Sequence, residues 1–158
     1  MTDHLEFTSH SPEETQKLGK RLGELALSGD IFLLSGKLGA GKTCLTQGIA
    51  RGLGITESVL SPSFVLVREL KGRLPLYHGD LYRLDRTEEI SELGLDEYLF
   101  GKGLTVIEWA DKGLAVLPEE HLLVEIDYLE DDERRIKLTA KGKRYQELMD
   151  KLKDFKVE

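Results

Sequence analysis

The sequence predicts an α/β domain on a mixed sheet, with parallel strands at its centre and antiparallel hairpins beside them. The wholly apolar run Ile31–Leu34 and the apolar or β-branched run Leu104–Ile107 read as parallel strands buried on both faces. A glycine-rich loop, Gly36–Thr43, follows the first run and leads into a helix. Leu122–Tyr128 alternates apolar and polar residues, and Arg135–Thr139 returns beside it as a hairpin. At 158 residues, 40% hydrophobic and 32% charged, residues 1–158 are expected to form one soluble domain.

Taken in order, the first element is a helix beginning at Ser11-Pro12-Glu13-Glu14. Ser11 supplies the cap, Pro12 suits the first helical position and Glu14 completes a capping box. Leu18, Leu22, Leu25 and Ala26 follow at helical spacing, and Ser28-Gly29-Asp30 ends the segment. After strand Ile31–Leu34 and the glycine-rich loop, a helix runs from Thr43 to about Arg51, stopped by Gly52 and Gly54. Beyond Ser61-Pro62-Ser63, the runs Phe64–Val67 and Leu74–Tyr77 flank a turn at Lys71-Gly72. Asp85–Leu93 and Asp96–Phe100 read as short helices. Strand Leu104–Ile107 ends at Glu108-Trp109, and Gln146–Leu152 is a closing amphipathic helix.

Gly36-Lys37-Leu38-Gly39-Ala40-Gly41-Lys42-Thr43 satisfies G-x-x-x-x-G-K-[ST] in full. Glycines allow successive backbone N–H groups to wrap a phosphate. Lys42 reaches the β- and γ-phosphates, the Thr43 hydroxyl ligates Mg²⁺, and the helix adds its positive end. The nucleotide contacts expected of this loop are Gly36, Leu38, Gly39, Ala40, Gly41, Lys42, Thr43 and Cys44. With this loop, the α/β class becomes a P-loop NTPase-like three-layer fold.

Phosphoryl transfer also needs carboxylates near the metal and the attacking oxygen. Glu108 closes an apolar strand in the Walker B pattern and is the better magnesium residue. Asp80, after Leu76-Tyr77-His78-Gly79, is the better group for orienting and deprotonating water. Ser61-Pro62-Ser63 occupies the place of a switch segment or of a simple proline turn. His78 is expected to be a structural strand residue and Cys44 to fill a helix position.

Other features narrow the classes. The chain has no Asn, so an Asn-Lys-x-Asp guanine reader cannot be present, and it has no D-x-x-G switch. The segment ADKGLAVLPEE after Trp109 lacks the arginines of a small-molecule kinase lid. No apolar run approaches the roughly 20 residues of a membrane helix. The N-terminus does not read as a secretory signal, and the single Cys44 fits a reducing cytoplasm. Net charge is −7, yet residues 119–133 carry eight acids and no Lys or Arg, whereas residues 134–158 carry a net +5. Such runs read as solvated faces or as a docking surface for a protein or RNA.

The ordered set SPEET, GKLGAGKT, SPSF, HGDLYRL, ELGLDEYL, VIEWADKG and LLVEIDY resembles the TsaE (YjeE) family of small P-loop ATPases, from about Ser11 to Leu138. The resemblance implies a cytoplasmic ATPase working with TsaD and TsaB in threonylcarbamoyladenosine modification of tRNA beside the anticodon. tRNA is then met through that complex, with no membrane or DNA partner. It carries ATP and Mg²⁺ over as cofactors, Lys42 and Thr43 as phosphate and magnesium residues, Glu108 as a magnesium residue and Asp80 as the catalytic carboxylate. Trp109 carries over as a functionally important neighbour, and Ser11 and Arg134 as adenine contacts. Lys37 stands where the family commonly has Asp, and Ser63 where Thr is common. No arginine finger is evident unless Arg83 serves. A small-molecule kinase and a nucleotide-dependent binding module that never hydrolyses are the alternative readings.

Overall fold

The computed structural model describes residues 3–37, 41–57, 67–81, 99, 101–110 and 117–157. Its strands are β1 (His4–Ser9), β2 (Ile31–Ser35), β3 (Val67–Leu70), β4 (Leu76–Asp80), β5 (Leu104–Glu108), β6 (His121–Tyr128) and β7 (Arg134–Lys141). The described helices are α1 (Pro12–Leu25), α2 (Lys42–Gly52) and α3 (Lys143–Leu152). All seven strands form one sheet in the order β1-β7-β6-β2-β5-β4-β3. The inner four, β6, β2, β5 and β4, are mutually parallel, while β7, β1 and β3 pair antiparallel at the flanks. The chain therefore has the expected α/β fold with a mixed sheet.

Every residue of β5 and the first four of β2 are buried, as expected of strands covered on both faces. Phe32, Leu34, Val106, Val124 and Leu138 face the larger core, shared with apolar residues of all three helices. Ile31, Leu33 and Ile107 point the other way, onto Leu81, Ala110 and Leu117. The helices expected over Asp85–Leu93 and Asp96–Phe100 lie outside the described residues, as does Ser61-Pro62-Ser63. Among the described residues no helix is long and apolar enough to cross a membrane.

Helix α1 starts as its sequence dictates. The Glu14 backbone N–H donates to the Ser11 hydroxyl at 3.2 Å, and the Glu14 carboxylate accepts the N–H of His10, one residue before the cap. Its far end is closed by a residue distant in sequence: the Arg73 guanidinium donates to the carbonyls of Gly23 at 2.8 Å and Ala26 at 3.0 Å.

Glycines set how closely α1 and α2 pack. A Cβ on Gly19 would stand 2.3 Å from the Leu45 carbonyl oxygen, and one on Gly48 would stand 2.2 Å from that of Gln16. Gly23 and Gly52 meet the opposite backbone equally closely. Gly52 is thus the last residue of α2, required by its contact with Lys20, rather than the stop expected from the sequence. This seam fixes the helix that carries the phosphate loop.

Two further departures have physical reasons. Strand β1 was not anticipated; its Leu5 and Phe7 are only partly buried, so an edge strand of alternating character gives a weak apolar signal. The hairpin β3–β4 lies later than expected, with Val67 paired to Gly79 and Leu70 to Leu76, so Asp80 closes β4 rather than following it. Residues 64–66 of the expected first strand are outside the described residues. The structure also starts α3 at Lys143, three residues before the expected Gln146.

Candidate functional site

Parallel strands β2, β5 and β4 end at one edge of the sheet, the edge where α2 begins; in α/β sheets ligands sit outside such carboxyl ends. Gly36 and Gly41 take φ of 153° and 105°, conformations in which a side chain would be strained. Gly41 has no side chain with which to cap α2, whose positive end meets the loop. Leu38, Gly39 and Ala40 lie outside the described residues.

Lys42 is only 5% exposed. Its amine donates to the carbonyls of Gly36 at 2.5 Å and Lys37 at 3.0 Å, and stands over the Trp109 ring at 3.8 Å from the centroid. The Lys37 backbone thus takes part in holding Lys42, whatever the charge of its side chain. Trp109 sits directly after β5 at φ 60°, a left-handed conformation rare for an aromatic residue.

Helix α2 and strand β5 bring Thr43 and Glu108 into contact: the Thr43 hydroxyl donates to Glu108 Oε1 at 3.3 Å. The other carboxylate oxygen, Oε2, is hydrogen-bonded to His78 Nε2. Asp80 pairs in register with Glu108 on the neighbouring parallel strand, and both carboxylates are buried at 3% and 2% exposure. Lys42, Thr43, Glu108, Asp80 and Trp109, scattered over 68 positions from 42 to 109, therefore converge at one sheet edge.

Thr43 and the two carboxylates supply hard oxygen donors of the kind magnesium takes. Among the described residues no group of three or more His, Cys, Asp or Glu is gathered as a metal cage. That donor set suits an ion held by one or two carboxylates together with phosphate and water.

The remaining expected contacts meet where α1 starts. The Cys44 thiol donates to the Pro12 carbonyl oxygen at 3.3 Å, beside Ser11. Burial, with the Glu13 carboxylate next, pushes that thiol above its usual pKa. Arg134, whose charge acts on Cys44 in the opposite sense, starts β7 opposite Ser9 and stacks on Tyr128 at 4.5 Å. Ser11, Cys44 and Arg134 are therefore neighbours, although the Ser11 hydroxyl is already engaged as the cap of α1. Arg83 lies outside the described residues.

His78 is the buried strand residue expected, and its bond to Glu108 is a contact the sequence did not reveal. The signal that could have found it is its place two residues before Asp80, which puts both side chains on one face of β4.

The family model described as "Threonylcarbamoyl adenosine biosynthesis protein TsaE" matches residues 9–136. A tRNA threonylcarbamoyladenosine biosynthesis protein TsaE of Bacillus subtilis is 46% identical over 149 residues, 94% of this chain and 93% of that protein. The protein of the same name from Haemophilus influenzae is 41% identical, covering 85% of this chain and 89% of its own. The crystal structure of Bacillus subtilis YdiB superposes with a TM-score of 0.84 at 42% identity, covering 96% of this chain and 95% of that one.

Proposed function

Since this chain belongs to the TsaE family of threonylcarbamoyl adenosine biosynthesis proteins, we propose that it is a magnesium-dependent ATPase. In this reading it works in the cytoplasm with TsaD and TsaB, and its hydrolysis cycle supports their modification of tRNA. The observation that carries the reading is the Thr43–Glu108 contact at the end of β5, with Lys42 and Asp80 beside it.

Each residue has a part in that chemistry. Lys42 leaves the Gly36 and Lys37 carbonyls for the β- and γ-phosphates, which offer it full negative charge. Thr43 and Glu108 hold the magnesium ion, which when bound offsets charge on the phosphates. Asp80 orients a water and accepts its proton as the water oxygen bonds to the γ-phosphorus; the bond to the β-phosphate oxygen breaks and ADP leaves. Ser11 and Arg134 meet the adenine end of the nucleotide, and Cys44 contacts it from the start of α2. Hydrolysis by the chain alone is slow unless Arg83 serves as an arginine finger, since lack of a finger costs about 10³–10⁵ in rate.

Steady-state phosphate release with and without TsaB and TsaD tests this. The expected result is a slow basal rate that rises with the partners; identical rates would sink the coupling. Labelled γ-phosphate appearing on a metabolite instead of as free phosphate would favour a kinase.

A further inference from the structure

We propose that His78 is a positioning residue that holds the Glu108 carboxylate against Thr43, so that the metal end of the site is formed before nucleotide arrives. The inference rests on the ATPase reading above and names a residue that it leaves unused.

His78 is completely buried on β4. Its Nε2 bonds one oxygen of Glu108, while the Thr43 hydroxyl bonds the other. The carboxylate is thereby fixed at both ends, and its plane cannot turn without breaking one of the two bonds. Glu108 is itself almost without solvent, so water cannot replace a lost partner.

Packing does not account for a histidine here. Leu76 on the same strand and Val106, paired with His78 across the sheet, belong to the larger apolar core. An aliphatic residue at position 78 would fill that layer with no polar atom to satisfy. Instead His78 Nδ1 is buried with no hydrogen-bond partner among the described residues. An unpaired ring nitrogen is unfavourable, and the Nε2 bond to Glu108 is what that arrangement gains. Partners that orient a metal-site carboxylate commonly affect metal affinity by 10–100-fold.

Two amide replacements separate reach from chemistry. The amide of His78→Gln extends to where Nε2 lies and can still bond Glu108. That of His78→Asn stops near Nδ1 and cannot. ADP affinity is measured by titration calorimetry in Mg²⁺ and in EDTA for the full chain and both variants, and the ratio of the two affinities is the readout. We expect the ratio to fall about tenfold or more in His78→Asn, with ADP affinity in EDTA unchanged and His78→Gln close to the parent. A parental ratio in His78→Asn, or an equal fall in both variants, overturns the inference. If His78→Asn does not fold, His78→Leu is read in its place with the same outcomes. A parent chain without magnesium-dependent ADP binding overturns the ATPase reading and this inference with it. A magnesium-dependent parent beside an unaffected His78→Asn overturns this inference alone.

Discussion

The Lys42 amine stands over the face of the Trp109 ring, 3.8 Å from its centroid. A desolvated cation over an indole is worth about 2 kcal/mol. One unit of phosphate charge 4 Å from the same amine is worth about 4 kcal/mol at an effective dielectric of 20, and a triphosphate carries several. The phosphate therefore wins Lys42 from the ring. Trp109 is the single tryptophan, so its emission should change as ADP or ATP is titrated. In Lys42→Ala the titration should be flat and nucleotide affinity low; an undiminished emission change in that variant would refute the displacement.

The two carboxylates should separate on mutation. Glu108 touches Thr43, whereas Asp80 lies one strand further from α2. Glu108→Ala is expected to weaken magnesium-dependent nucleotide binding. Asp80→Ala should leave ATP affinity near the parent's and lower turnover by about 10²–10⁴, the usual contribution of a general base. Equilibrium binding and single-turnover hydrolysis on both variants decide it, and equal loss of binding in the two would overturn the division of labour.

These groups differed in how readily the sequence revealed them. Lys42, Thr43 and Glu108 lie in or directly after short local patterns whose physics is self-contained, a loop that wraps an anion and an apolar strand ending in an acid. His78 was placed on a strand, but its bond to Glu108 was not foreseen, because the partner is 30 positions away and only the β4–β5 register brings them together. Arg73 likewise caps a helix from about 50 positions away. The glycines of α1 and α2 were visible, but whether a glycine ends a helix or packs against another depends on the facing backbone. Gly52 was misread for that reason.

Gly48→Ala tests that seam, because two effects oppose each other. Replacing a glycine inside a helix by alanine ordinarily stabilises by about 1 kcal/mol. Here the new methyl would lie 2.2 Å from the Gln16 carbonyl oxygen, backbone that cannot swing away. Overpacking of this sort costs about 1–3 kcal/mol, and α1 and α2 must also separate along the whole seam, so the loss outweighs the gain. A lower midpoint in urea unfolding is expected, and an unchanged or higher one would show that the seam can relax.

Tyr145 gives the chain an alkaline limit. Its hydroxyl accepts the Ile31 N–H at 2.9 Å, joining α3 to the start of β2. Burial is the main cause that pushes its pKa from 10.0 up to about 12. The folded state thus keeps the phenol proton to higher pH than the unfolded chain does. Stability from this group is full below pH 10 and is lost as the pH rises through about 12. Tyr145→Phe cannot lose that proton, so the difference in stability between parent and variant should shrink across that window. Near neutral pH the variant should be less stable by about 1–3 kcal/mol, since the Ile31 N–H is left without its acceptor. Thermal melts of both proteins from neutral pH to pH 12 measure the difference; a gap that stays constant would mean the phenol is not held neutral by the fold.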